Sequence, residues 1–216
     1  MIRFSALSNA LSSLHHEPGA FASFLALARK AEKIFFIGNG GSAAIASHMA
    51  ADWMKNGNKA TMCFTDPALL TCLANDHGYP EVFTSPLRHH GSPQDLLVAI
   101  SSSGESVNII KAVDLATTMQ MDVVTLTGFE PNNSLRQRGL LNFYVPSHKY
   151  GLVEVAHHAI LHSVIDEHMR LSNVNSSIAR SGEVRERDTF GSAGTGPVGV
   201  RADASETYPW PMGGNI

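Results

Sequence analysis

Apolar and polar positions alternate along this chain in two rhythms. Short, predominantly apolar runs stand at Ile34–Ile37, Ala60–Phe64, Asp95–Ile100, Asp122–Gly128 and Leu140–Pro146, the first of them unbroken. A strand covered on both faces shows such a run instead of alternation, so these predict five buried strands. Between them lie segments with helical spacing. Phe21, Phe24, Leu25, Leu27 and Ala28 form a stripe within 18–32, preceded by a helical segment at 3–15. Further helices are predicted at about 42–56, from Asp66-Pro67 through Leu73, near 81–89, over 107–119 and over about 152–170. Asp66 and Pro67 suit an N-cap and a first turn, whereas Asn75–Pro80 reads as a polar loop. Strands alternating with helices predict an α/β fold with a doubly wound, largely parallel five-stranded sheet. From Ser172 onward the sequence is rich in Gly, Ser, Arg, Glu and Pro without an apolar period. This predicts one domain over 1–171 and a flexible or loosely packed extension over 172–216.

Bulk composition narrows the function classes. The chain has 216 residues and 44% hydrophobic content, enough for one good core. Sixteen Lys and Arg are scattered and outnumbered by nineteen acids, which gives no case for nucleic acid. No stretch approaches the roughly 20 apolar residues that cross a bilayer, and Met1–Ala6 lacks the layout of a secretory signal. Cys63 and Cys72 lie in segments that read as buried, and two small core residues are favoured over a disulfide. A cytoplasmic enzyme or binding protein fits. Eleven histidines are the one unusual count.

Three constellations carry candidate chemistry. The first strand breaks into Gly38-Asn39-Gly40-Gly41-Ser42, with Ser42 where an N-cap belongs. A strand, a glycine turn and a helix aim backbone N–H groups and a helix dipole at an anion. The spacing is neither the P-loop nor the dinucleotide pattern, and alone it is equally compatible with plain strand-to-helix punctuation. The second is Ser101-Ser102-Ser103-Gly104-Glu105-Ser106, at the end of the third strand. One serine would cap the next helix; four hydroxyls with turn amides suit a phosphate monoester held without a metal. Ligands of such sheets bind beyond the carboxyl ends of the strands, where both stretches fall. The third is histidine with carboxylate: His48 and Asp52 share a face of one helix, and Glu154, His158 and His162 share a face of the last, beside His157. Such a set is a metal site or a proton-transfer pair only if the two helices meet, which spacing leaves open.

Residues 34–168 resemble the sugar isomerase (SIS) family, and within it the phosphoheptose isomerases. The resemblance rests on Gly38-Asn39-Gly40-Gly41-Ser42, His48, Asn75-Asp76-x-Gly78-Tyr79-x-x-Val82-Phe83, Ile100-Ser101-x-Ser103-Gly104-x-Ser106-x-Asn108-Ile109-Ile110-Lys111-Ala112, Leu126-Thr127-Gly128, Val145-Pro146 and His162, in collinear order. It implies an aldose–ketose isomerase of a sugar phosphate, sedoheptulose 7-phosphate above others, working through an enediol. Phosphate and sugar contacts would fall on Asn39, Gly40, Ser42, Asp76, Ser101, Ser102, Ser103 and Ser106. His162 and Asp52 would be the catalytic proton-transfer pair. His48, Asp52, Glu154 and His162 would hold zinc. The resemblance also implies a homotetramer with active sites between subunits, so that the two helices meet across an interface.

The chain departs from the family pattern at several positions. Asp52 stands for a Glu and Glu154 for a Gln; Gly151 replaces an Asp; Lys55-Asn56 stands where an Arg is expected; Ala43-Ala44-Ile45 is less polar than usual. The phosphate serines are intact. Two alternatives therefore stay beside the isomerase: a non-catalytic phosphosugar-binding regulator or assembly protein, and an isomerase of another phosphosugar.

Overall fold

The computed structural model describes residues 4–14 and 16–187, with side chains through residue 173. Two helices, α1 (Phe4–Ser12) and α2 (Ala20–Lys30), precede the sheet. There follow β1 (Lys33–Gly38), α3 (Gly41–Lys55), β2 (Ala60–Cys63), α4 (Pro67–His77), a 3-10 turn at Tyr79–Glu81 and α5 (Thr84–His90). The chain continues through β3 (Leu96–Ser101), α6 (Val107–Thr118), β4 (Asp122–Thr127), β5 (Leu141–Tyr144) and α7 (Tyr150–Arg187). All strand pairs are parallel, in the order β2-β1-β3-β4-β5.

The apolar runs are explained by what covers the two faces. Alternate residues Ile34, Phe36, Leu96, Val98, Ile100, Val124, Leu126 and Phe143 pack with α2, α3 and α7. Their neighbours Phe35, Ile37, Leu97, Ala99 and Val123 pack with α5 and α6. Each buried Phe, Leu or Ile removes apolar surface from water for roughly 1.5–3 kcal/mol. Phe143 anchors the β5 edge, with the rings of Phe21 and Phe24 at 4.9 and 5.9 Å. At the amino end of β3, Asp95 is buried but fully engaged. It accepts from the Lys33 and Ser92 amides and pairs with Lys33 Nζ at 3.1 Å.

β1 and β3 are neighbours, yet α3 after β1 lies on one face and α6 after β3 on the other. A crevice therefore opens between their carboxyl ends, the switch point where open α/β sheets bind ligands. Gly38–Ser42 and Ser101–Ser106 are the two loops that flank it.

Four expectations need correction. Gly40, not Ser42, is the N-cap of α3; Ser42 lies in the first turn and is buried. α4 continues through His77, so Asn75 and Asp76 are helical and not in a loop. α7 runs to Arg187 instead of stopping near 170, so residues 172–187 are helix where a loose extension was expected. Internal packing groups the chain into units over Met1–Asn175 and Ser176–Ile216, and the rest of the expected extension lies outside the described residues. Cys72 is exposed and Cys63 only half-buried; both are free thiols.

Candidate active site

The serine loop and the glycine turn form one cradle. Asn39, Ser42, Ser101, Ser102, Ser103, Ser106, Tyr150 and Glu154 line a cavity of about 130 Å³. That is small against the roughly 300–1,000 Å³ of a pocket for a whole small-molecule ligand, and it suits one phosphoryl group. Ser101 Oγ donates to Ser106 Oγ (3.3 Å) and accepts from the Gly104 amide (3.2 Å), which fixes the loop. Ser102 Oγ is buried without a hydrogen-bond partner. A buried hydroxyl left unpaired is costly, so it is placed for a ligand's oxygen. The amino ends of α3 and α6, at Ser42 and Ser106, open onto the cavity; that of α3 already faces the Glu154 carboxylate, and that of α6 favours an incoming anion. No Lys or Arg lines it.

A second set of side chains ties the two loops together. Asn39 and Asn108 exchange amide hydrogen bonds, each of 2.9 Å, and Tyr79 Oη donates to Asn39 Oδ1 at 3.0 Å. Asn108 also accepts from the Ile109 amide, in the first turn of α6. Sequence reasoning used Asn108 only as a motif position; its role follows from pairing across 69 residues of chain, which no local pattern reveals.

α3 and α7 meet within one chain, rather than only across an interface as the resemblance implied. The His48 ring lies 4.9 Å from His158 and 5.3 Å from His162, and those two lie 4.6 Å apart. One nitrogen from each imidazole falls within 4.8 Å of the others. Asp52 Oδ2 stands 3.7 Å from His162 Nδ1, while its other oxygen accepts from the Asn56 amide. Asn56 thus orients the carboxylate from the position where the family pattern has Arg. Burial, then the charges of His162 and His48, hold the His158 imidazole below its ordinary pKa, with Asp52 pulling the other way. His157 faces the core: its ring N–H donates to the Thr127 carbonyl (3.1 Å), and burial lowers its pKa to about 4.

Three expected site residues are placed otherwise. Glu154 does not stand among the imidazoles; a Cβ on Gly41 would be 2.5 Å from both of its carboxylate oxygens. It therefore sits at the amino end of α3, against the cradle. Asp76 is exposed on α4, accepts from the Asn75 amide (2.9 Å), and does not line the cavity. Gly40, with φ 55°, shapes the turn but does not line the cavity either. A larger cavity of about 360 Å³ lies by β5, lined by His16, Arg136 and Arg138. Its guanidinium groups are already committed: Arg136 to the Pro131 carbonyl and the Tyr144 ring, Arg138 to Asp114 and the Ser134 carbonyl.

Comparison with known proteins agrees with this geometry. The SIS domain family model matches residues 18–128. Phosphoheptose isomerase of Alteromonas mediterranea is 32% identical over 163 residues, covering 70% of this chain and 80% of the relative. The chain belongs to the phosphoheptose isomerase family of SIS-domain proteins. The Shewanella denitrificans phosphoheptose isomerase is 35% identical over 143 residues, covering 62% of this chain and 73% of its own length. The solved structure of phosphoheptose isomerase from Neisseria gonorrhoeae superposes with a TM-score of 0.67 at 30% identity, over 76% of this chain and 93% of that one. The five-stranded parallel sheet is thus the SIS fold, and the serine cradle at its switch point falls within the matched region.

Proposed function

We propose that the protein is an aldose–ketose isomerase of a sugar phosphate, interconverting sedoheptulose 7-phosphate and an aldoheptose 7-phosphate. The observation that carries this reading is the alignment of the cradle and the His–Asp cluster along α7. Glu154 borders the cradle, and His158 and His162 follow one and two turns later, about 6 and 12 Å along the axis at a 1.5 Å rise per residue. A phosphate seated among the serines leaves a long carbon chain to reach the cluster with its far end. A triose would fall short. The names of the relatives support the heptose assignment.

Isomerisation moves one proton between C1 and C2 and another between their oxygens, through an enediol. Asp52 and His162, 3.7 Å apart, are suited to these two transfers, since a carboxylate and an imidazole facing the same carbons can act as base and acid and exchange roles during the cycle. His is the side chain that titrates near neutrality. Asn56 holds the Asp52 carboxylate with one oxygen toward His162. Ser42, Ser101, Ser102, Ser103 and Ser106, with Asn39, bind and orient the phosphate. Gly40 shapes the turn, and Asp76 contacts the sugar only if the far end of the ligand reaches α4.

The resemblance implies zinc. His48, His162 and Asp52 meet and are suitable donors, whereas Glu154 is drawn away to Gly41. A divalent cation bound there would polarise the substrate's C1–C2 oxygens. We further propose a cytoplasmic homotetramer. The elements that build the site carry exposed apolar side chains, Met54 on α3, Val107 on α6, Tyr150 and Val155 on α7, which suit contact between subunits. No helix among the described residues is long and apolar enough to cross a membrane.

The test is NMR of sedoheptulose 7-phosphate with purified protein, with and without chelator. Appearance of an aldoheptose phosphate is expected, and it should vanish in Asp52→Asn. Saturable binding with no conversion would replace the isomerase by a phosphosugar-binding regulator or assembly protein. Turnover of a different phosphosugar alone would move the substrate and keep the chemistry.

A further inference from the structure

We propose that His48, His158 and His162 form an open three-histidine cation site in this chain, with His158 as third donor in place of Glu154. The inference stands on geometry and would hold even if the substrate were another sugar. One nitrogen of each imidazole lies within 4.8 Å of the other two. Around a tetrahedral zinc with Zn–N of about 2.0–2.1 Å, such nitrogens stand roughly 3.3 Å apart. Small rotations of side chains at one helix-turn spacing close that difference.

Two independent observations point to a ligand. His158 Nε2 is buried and has no hydrogen-bond partner, although a buried imidazole nitrogen is normally paired. The three rings also converge in edge-on and tilted contacts, with centroids 4.6, 4.9 and 5.3 Å apart and no hydrogen bond among them in the described residues, so no imidazole nitrogen of the trio is satisfied by another. Imidazole suits zinc and its first-row neighbours, and three protein ligands with a vacant fourth position is the pattern of a catalytic rather than a structural site.

The displaced residue has a different occupation. Glu154 rests its carboxylate at the amino end of α3, a seat that favours negative charge, beside the serine cradle. Drawing it to the imidazoles would vacate that seat and leave His158 Nε2 unpaired. Asp52 lies 3.7 Å from His162 Nδ1, where a carboxylate behind a metal-bound histidine orients its ring and stays free to carry protons. On this arrangement the imidazoles hold the cation, so His162 gives up the proton-transfer role of the paired reading and Asp52 carries the proton.

The experiment compares zinc affinity by competition with a chromophoric chelator, and the visible spectrum after cobalt loading, for the full chain and two variants. His158→Ala is expected to weaken zinc by at least about a hundredfold, the upper end of what loss of a mere supporting group costs, and to alter the cobalt spectrum. Glu154→Ala, which removes the donor instead of restoring the Gln of the family pattern, is expected to leave both within about twofold, below the range for lost support. Loss in Glu154→Ala with retention in His158→Ala would overturn the proposal in favour of the family-implied donor set. Failure of the wild-type chain to take up zinc at equimolar concentration would overturn it outright. Should His158→Ala fold poorly by circular dichroism, the wild-type protein still decides: zinc must shift the imidazole nitrogen resonances of His158 together with those of His48 and His162, and an unmoved His158 refutes its role.

Discussion

Gly104→Ala is the sharpest test of how the phosphate loop is built. Gly104 has φ 68°, the left-handed region, where a side chain costs about 1–2 kcal/mol. Its added Cβ would also run into the side chain of Asn133. Asn133 is 1% exposed and cannot swing aside freely: its amide donates to the Gly128 and Glu130 carbonyls, and its oxygen accepts from the Arg136 amide at 2.9 Å. Displacing it breaks hydrogen bonds worth about 0.5–1.5 kcal/mol each, and more where a buried group is stranded. The expected total is about 3–5 kcal/mol, against a whole-protein stability of roughly 5–15 kcal/mol. With a urea m-value of about 2 kcal/mol/M, the midpoint should fall by roughly 2 M. Binding should weaken in parallel, because Gly104 N–H holds Ser101 Oγ in the cradle. The double mutant with Asn133→Gly, which also removes the Cβ that an alanine would keep 2.8 Å away, separates the two causes: on that background Gly104→Ala should cost only the backbone term of about 1–2 kcal/mol. A single-mutant loss below about 1 kcal/mol would refute the reasoning, since the left-handed term alone exceeds it.

Other predictions follow from the same contacts. Ser102→Ala removes a buried hydroxyl that has no partner, so stability should rise, by about 1–3 kcal/mol, while KM for the phosphosugar rises; a stability loss with unchanged KM would show a structural serine. Asp95→Ala strands Lys33 at the opposite end of β3 and should cost about 3–5 kcal/mol with kcat unchanged at permissive temperature, measured by thermal melts and initial rates. His157, lowered to about 4 in the folded chain and near 6.5 unfolded, is neutral in both states above pH 6.5, so its stabilisation is complete there. As pH falls from 6.5 toward 4 the unfolded chain takes the proton first and stability is lost, by about 2 kcal/mol between pH 7 and pH 5. His168, also lowered by burial, adds in the same direction. Urea midpoints in chelator that stay flat from pH 7 to 5 would count against this burial.

The sheet was legible because parallel strands covered on both faces must be apolar at every position, as Ile34–Ile37 and Leu96–Ile100 are. The serine cradle was legible for a related reason: its residues are consecutive and sit at strand ends. Boundaries were less so. Asn75, Asp76 and His77 looked like loop because all are polar, yet they end an exposed helix, and polarity reports exposure rather than backbone conformation. The continuation of α7 beyond residue 171 escaped for the same reason, since an apolar period signals packing and not helicity as such. His158 was visible as a neighbour of both Glu154 and His162 in the helical register. Choosing between it and Glu154 needed the position of α3, which no spacing along α7 encodes.

The hydrogen-bonded trio Asn39, Asn108 and Tyr79 bears on how binding free energy is distributed. It joins three separate stretches of chain before any ligand arrives, so the phosphate seat is preorganised and little ordering entropy is spent when it fills. Affinity should then reside largely in the phosphate and depend weakly on the sugar attached to it. Inorganic phosphate should act as a competitive inhibitor, and substrate and product, sharing the same anchor, should bind with similar strength. Under the proposed reaction, discrimination among sugars would fall to the other end of the molecule, at the imidazoles and Asp52.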